Sequence, residues 1–143
     1  MIIRTWGEKD VAAIAQMEAR CFSDPWTEGM LRDCLKYAWQ HLFLAEDGGQ
    51  VCGYCCLGVL FEDAEVLNIA VDTPHRGKGI GQALLTAMHE KAKTLGALQC
   101  FLEVRVSNAA AIALYEKNGY ERYGVRAHYY PDGENAMLMK KTL

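Results

Sequence analysis

Long apolar runs are missing from this 143-residue chain. No stretch approaches the ~20 apolar residues that a membrane-spanning helix needs. The opening Met1-Ile2-Ile3-Arg4-Thr5-Trp6 also lacks the apolar centre of a secretory leader. The chain is therefore expected in the cytoplasm, away from membranes. A basic excess is missing too. Fifteen lysines and arginines face 18 aspartates and glutamates, a formal charge of −3, whereas a nucleic-acid binder clusters positive charge. Mild acidity of this kind steers weakly towards a basic peptide partner. There is no low-complexity segment, internal repeat or composition shift to mark a linker. With 51% hydrophobic residues, residues 1–143 are expected to form one domain with its own core.

Metal-ligand spacing is another absence. The six cysteines stand at positions 21, 34, 52, 55, 56 and 100. Cys52, Cys55 and Cys56 come closest to a zinc pattern, but no fourth Cys or His follows at a matching interval. Cys52-Gly53-Tyr54-Cys55-Cys56-Leu57 reads instead as the interior of a strand, with reduced thiols as small apolar side chains. The histidines His41, His75, His89 and His128 show no ligand pattern, and Trp6 and Trp39 read as packing residues. No metal is expected.

Hydrophobic periodicity supplies the elements. Ile2, Ile3 and Arg4 open as a short strand. Val11, Ile14 and Ala15 recur at helical spacing, which predicts a helix over residues 8–19. Thr27 is a candidate N-cap for a second helix carrying Met30, Leu31, Cys34 and Leu35. Strands are expected at 41–46, at 51–61 and at 65–71, with turns at 47–50 and 62–64. The 51–61 strand is apolar on both faces, which predicts a central position. A long helix should run from about Ile80 to Leu95 and stop at Gly96. A strand at 100–106, a helix at 109–117 capped by Ser107 or Asn108 and closed by Gly119, and strands at 120–125 and 135–141 complete the chain. The order βααβββαβαββ describes an α/β fold, a mixed sheet flanked by helices.

Arg76-Gly77-Lys78-Gly79-Ile80-Gly81 lies between a strand and the long helix. Glycines allow close backbone approach, and the first helical N–H groups have no partner within the helix. Together they form an anion cradle suited to a pyrophosphate. The spacing fits neither the G-x-x-x-x-G-K-[ST] phosphate loop nor the G-x-G-x-x-G dinucleotide motif. A turn without a ligand is the bland alternative.

The run from Arg76 to Leu85 resembles the R-x-x-G-x-G/A signature of the GNAT superfamily of acetyl-CoA-dependent N-acetyltransferases. The order of elements is similar along the whole chain. Asn68-Ile69-Ala70-Val71, the run from Leu102 to Glu116, Phe22-Ser23-Asp24-Pro25-Trp26 and Tyr129-Tyr130-Pro131-Asp132-Gly133 resemble the branch that acetylates the N-terminal alanine of bacterial ribosomal proteins. The resemblance implies the GNAT fold: a mixed, mostly antiparallel sheet of about seven strands with about four helices. It implies acetyl-CoA as donor and a protein N-terminus, that of a small-subunit ribosomal protein, as acceptor. It further implies that Ile69, Ala70 and Val71 bind the pantetheine arm through a splayed backbone. Arg76, Gly77, Lys78, Gly79, Ile80, Gly81 and Gln82 would then hold the pyrophosphate, and Asn108 would contact coenzyme A. Glu103 is implied as base and Tyr115 as acid.

The chemistry is coherent on its own terms. An ammonium cannot attack a thioester until it loses a proton. An α-amino group has a pKa of about 7.7–8.0 and a lysine about 10.4, so on the order of a tenth of N-termini are already neutral at pH 7. One carboxylate is adequate help for such an amine, and a phenol can protonate the departing thiolate. Transfer would be direct, in a ternary complex, with no cysteine nucleophile. On a strand, Leu102 and Val104 must face away from Glu103. Tyr115 stands about two helical turns after Asn108. The bland alternatives are a surface carboxylate ion-paired with a neighbour such as Arg105, and a core aromatic. Phe22, Trp26, Tyr129 and Tyr130 are candidates for the walls of a peptide channel, with core packing as the alternative. Two other functions remain open at this point: acetylation of a lysine or small amine, and non-enzymatic sensing of acyl-CoA.

Overall fold

Eight consecutive buried residues, 52–59, force the 50–60 strand into the middle of the molecule. Such a run needs cover on both faces, and the rest of the chain supplies it. The computed structural model describes residues 1–143. Its elements are β1 (Ile2–Thr5), α1 (Val11–Cys21), α2 (Glu28–Cys34), β2 (Gln40–Asp47), β3 (Gln50–Leu60), β4 (Asp63–Val71), α3 (Ile80–Thr94), β5 (Gln99–Arg105), α4 (Ala109–Lys117), β6 (Glu121–Arg126) and β7 (Ala136–Thr142). The seven strands form one sheet in the order β1-β2-β3-β4-β5-β7-β6. All neighbours are antiparallel except β4 and β5. This is the expected mixed, mostly antiparallel sheet with four α-helices.

Two cores result. On one face Cys55, Leu57 and Val59 of β3 pack with Leu84, Leu85 and Met88 of α3. On the other, Tyr54 and Cys56 pack with Val11, Ile14 and Met17 of α1 and Leu31 of α2. The alternation along β3 thus serves both layers. All six cysteines are free thiols, five of them buried.

Local chemistry sets the boundaries. Thr27 caps α2 by accepting from the Met30 N–H at 3.2 Å. Gly48 and Gly49 both take positive φ, +58° and +81°, which a two-residue hairpin requires. The next turn is shorter than the sequence predicts. Leu60 pairs with Asp63, so Phe61 and Glu62 alone form the loop, with Phe61 at φ 57°. Asp63 and Ala64, expected in the turn, belong to β4, because cross-strand pairing continues to the hairpin tip. The first turn of the predicted 8–19 helix is a 3₁₀ turn at Glu8–Asp10, and α1 continues to Cys21.

Two irregularities shape the region that matters for function. Cys56 pairs with Asn68 but Leu57 with Val66, so Leu67 is an extra, bulged residue in β4. A bulge bends its strand. The parallel pairing of β4 with β5 ends close by. It comprises only Asp63–Gln99, Ala64–Cys100 and Glu65–Phe101. Beyond that point the two strands part.

Gly53 sets how closely α3 approaches this part of the sheet. A Cβ there would stand 3.0 Å from the Ala70 carbonyl oxygen and from Ile80 Cγ2, and 3.2 Å from Leu84 Cδ1. Gly53→Ala should therefore destabilise the protein by about 1–3 kcal/mol through overpacking. Urea unfolding checks this, and an unchanged midpoint would mean that the contact relaxes freely.

Candidate active site

The gap between β4 and β5 is a cleft of about 540 Å³. Its wall brings together eight residues singled out from the sequence: Phe22, Trp26, Ile69, Glu103, Asn108, Tyr115, Tyr129 and Tyr130. They come from the α1–α2 loop, β4, β5, α4 and the β6–β7 loop. Glu103 faces the cleft because Leu102 and Val104 are the core residues of β5, at 2% and 5% exposure. Asn108 caps α4 by accepting from the Ala111 N–H at 3.1 Å. Tyr115, two turns later, is buried beside Tyr120, with ring centroids 5.7 Å apart. Burial pushes its phenol pKa further above the ordinary value. Phe22 and Tyr129 are exposed, and neither is a core aromatic.

Glu103 is held on both carboxylate oxygens. Tyr129 donates to Oε2 at 3.2 Å, and Arg126 Nη1 lies 3.6 Å from Oε1. The Arg126 guanidinium also stands over the Tyr129 ring, 5.1 Å from its centroid. Its cation is therefore not Arg105, the partner suggested by sequence proximity. Glu65 lies near enough that burial and the Glu103 charge both raise its pKa. A second hollow of about 360 Å³ shares Trp26, Leu67, Glu103 and Tyr129 with the cleft, and Trp39 borders it. None of the four histidines borders either space.

The glycine-rich turn lies apart from the cleft wall, past the end of β4. Gly77 and Gly79 both have φ near +80°, and no atom lies within 4 Å of where a Cβ would stand. The N-cap Gly79 offers no side chain, and Ala83 N–H to Gly79 O, at 3.0 Å, is the first helical bond. The amides of Ile80, Gly81 and Gln82 therefore open α3 without partners. A Cβ on Gly81 would lie 3.3 Å from Leu114 and 3.8 Å from Val71, which places the turn between the end of β4 and α4. The open space and free amides fit a diphosphate.

Several of these residues can contribute only through the main chain. The Ile80 side chain is buried in the α3 core, and that of Ala70 faces the α1 core. The Gln82 amide is locked to Asn118 by two 2.8 Å hydrogen bonds. Arg76 Nε donates to the Val71 carbonyl at 3.1 Å, and Lys78 is exposed.

Sequence reasoning missed Glu18. It lies on the cleft wall and is only 2% exposed. Tyr54 donates to its Oε1 at 2.5 Å and Asn68 Nδ2 at 2.9 Å. The signal was present: Glu18 falls four residues after Ile14 and seven after Val11, a charge on the apolar stripe of α1. Burial raises its pKa, against hydrogen bonds from Tyr54, Asn68 and the Trp26 backbone. A carboxyl whose pKa is raised on folding stabilises fully below the unfolded value, ~4.3, and loses that contribution as pH rises through the folded value. Glu18→Gln keeps an acceptor without the charge. It should gain stability relative to the original chain between about pH 4 and pH 8. Urea unfolding at both ends of that range checks the sign, and a constant difference would contradict it.

Residues 11–120 match the Acetyltransferase (GNAT) family. The chain is 35% identical over 133 residues to the ribosomal protein bS18-alanine N-acetyltransferase of Escherichia coli strain K12, covering 91% of this chain and 89% of that one. It is 41% identical over 114 residues to an N-alpha-acetyltransferase of Sulfurisphaera tokodaii, covering 71% and 68%. The crystal structure of the ribosomal-protein-S18-alanine N-acetyltransferase from Escherichia coli superimposes with a TM-score of 0.91 at 33% identity, covering 99% of this chain and 92% of that one. The diverging strands, the glycine turn opening α3 and these matches agree: the chain belongs to the GNAT acetyltransferase family.

Proposed function

We propose that this protein is an acetyl-CoA-dependent Nα-acetyltransferase whose acceptor is the N-terminal alanine of a small-subunit ribosomal protein. Residues 1–143 act as one domain, in the cytoplasm. The observation that carries the reading is the convergence of Glu103 and Tyr115 on one cleft walled by Phe22, Trp26, Tyr129 and Tyr130. The relatives named for N-terminal acetylation support it. No helix is long and apolar enough to cross a membrane.

Acetyl-CoA supplies the acetyl group as an activated thioester. The amides of residues 77–82 hold its diphosphate, with Arg76 and Lys78 adding positive charge. The edge of β4 that loses its β5 partner offers main-chain groups of Ile69, Ala70 and Val71 to the pantetheine amides, as an added strand would. Asn108 lines the same path. Glu103 accepts the proton of the substrate ammonium, directly or through a water. Tyr115, whose phenol carries its proton at neutral pH, donates towards the sulfur as the thiolate leaves. A main-chain N–H within residues 69–71 donates to the acetyl oxygen as charge develops there. The aromatic residues shape the approach of the peptide.

Peptides with a free N-terminal alanine and an internal lysine, incubated with acetyl-CoA and read by mass spectrometry, test the acceptor. Acetyl on the α-amine alone is expected. Modification of the lysine instead would replace this reading with that of a lysine acetyltransferase, and no transfer at all would leave an acyl-CoA sensor. Glu103→Gln should lower kcat by roughly 10²–10⁴-fold, with acetyl-CoA affinity nearly unchanged. Equal turnover by both proteins across pH 6–9 would remove Glu103 as base. Gly79→Asp forces a side chain into φ +80° and sets a carboxylate against phosphate. Calorimetry should show weaker acetyl-CoA binding, and an unchanged Kd would move the diphosphate elsewhere.

A further inference from the structure

We infer that Arg105 is a positioning residue that pins together the two loops carrying the aromatic peptide walls. The inference rests on the function proposed above only for what the loops bind. Arg105 sits at the end of β5, a strand paired along its whole length with β7, so its guanidinium projects from a fixed base. Its Nη1 donates to Asp132 at 2.8 and 3.0 Å and to Glu134 at 2.9 Å, both in the β6–β7 loop. Its Nη2 donates to both oxygens of Asp24, at 3.2 and 3.3 Å, in the α1–α2 loop. Its Cζ stands 4.2 Å from the centroid of the Tyr130 ring. One side chain thus joins the loop bearing Phe22 and Trp26 to the loop bearing Tyr129 and Tyr130.

Arg105 is the side chain that ties the two loops to each other. Residues 23–27 donate no main-chain hydrogen bond to the backbone, and the only salt bridge of Asp24 is to Arg105. The β6–β7 loop folds around the same carboxylates. Glu134 accepts from the Ser107 N–H at 2.9 Å, the Glu134 N–H donates to Asp132 at 3.0 Å, and the Tyr130 N–H donates to the Glu134 carbonyl at 3.2 Å. Removing the guanidinium would leave Asp24, Asp132 and Glu134 facing one another without a cation, and like charges would drive the loops apart. Lysine could restore the charge but not the fork that reaches both loops.

The test pairs kinetics with hydrogen exchange. Arg105→Ala should raise the peptide KM about tenfold or more and leave the acetyl-CoA KM within about twofold. Arg105→Lys should fall between. Adding Asp24→Asn to Arg105→Ala should cost less than the two single effects combined, because both remove one contact. Amide exchange at Ser107, Tyr130, Gly133 and Glu134 should quicken in Arg105→Ala, with residues 80–83 unaffected. Arg122→Ala, which breaks the distant pair with Glu116, should change none of these readouts. Unchanged peptide KM and unchanged loop exchange in Arg105→Ala would overturn the inference, as would an equal rise in the acetyl-CoA KM. Should the original chain acetylate no peptide, the proposed function falls, and loop exchange alone decides the role of Arg105.

Discussion

Beyond Glu65 and Phe101 the parallel strands β4 and β5 stop exchanging hydrogen bonds, and the site exists because of that parting. Backbone polar groups seldom remain unpaired inside a protein. Here a strand edge in the middle of a seven-stranded sheet loses its neighbour. The bulge at Leu67 bends β4 at the same level. Helix α4 begins just past the end of β5, so Asn108 and Tyr115 face the opening from one side while Glu103 faces it from the strand. The unpaired edge can satisfy itself on an extended ligand bearing amides of its own, and the pantetheine arm is such a ligand.

Charge around the opening is arranged with the same economy. Glu18 is buried on the wall, tied to Tyr54 of β3 and Asn68 of β4. It sits on the last turn of α1, just before the α1–α2 loop begins. Arg105 holds that loop and joins it to the β6–β7 loop. A buried carboxylate and a guanidinium shared by three carboxylates are demanding arrangements. Both occur where loops lacking regular structure must keep a fixed shape. Glu103 stands between them with a lighter hold, one phenol and one guanidinium at 3.6 Å, and remains partly open to the cleft.

Much of this was legible in the sequence, for identifiable reasons. Asn108, Thr27, Gly96 and the Gly48-Gly49 pair mark ends of elements by local chemistry, which does not depend on what packs nearby. The α4 helix falls at Ala109–Lys117 as the periodicity predicts, and Glu103 faces the cleft because period-two alternation leaves its side chain no other choice. The Glu62-Asp63-Ala64 turn misled, because charge and turn propensity suggested a loop where cross-strand pairing continued to Asp63. The bland alternative that paired Glu103 with Arg105 fails for a different reason. Residues two apart on a strand share a face, but a rigid fork turns towards whichever carboxylates surround it.

The sequence by itself determined the order of elements, the burial of β3 on both faces, the glycine turn at the start of α3 and the face of β5 on which Glu103 stands. Those features arise from spacing of two, three or four residues and from the backbone freedom of particular side chains. Tertiary structure alone decided that β4 and β5 pair for three residues and then part, that Glu18 lies on the wall of the cleft, and that Asp24 meets Arg105 across 81 positions of chain. Such contacts depend on the balance of packing, bulge and charge among segments far apart in sequence, which no local pattern records.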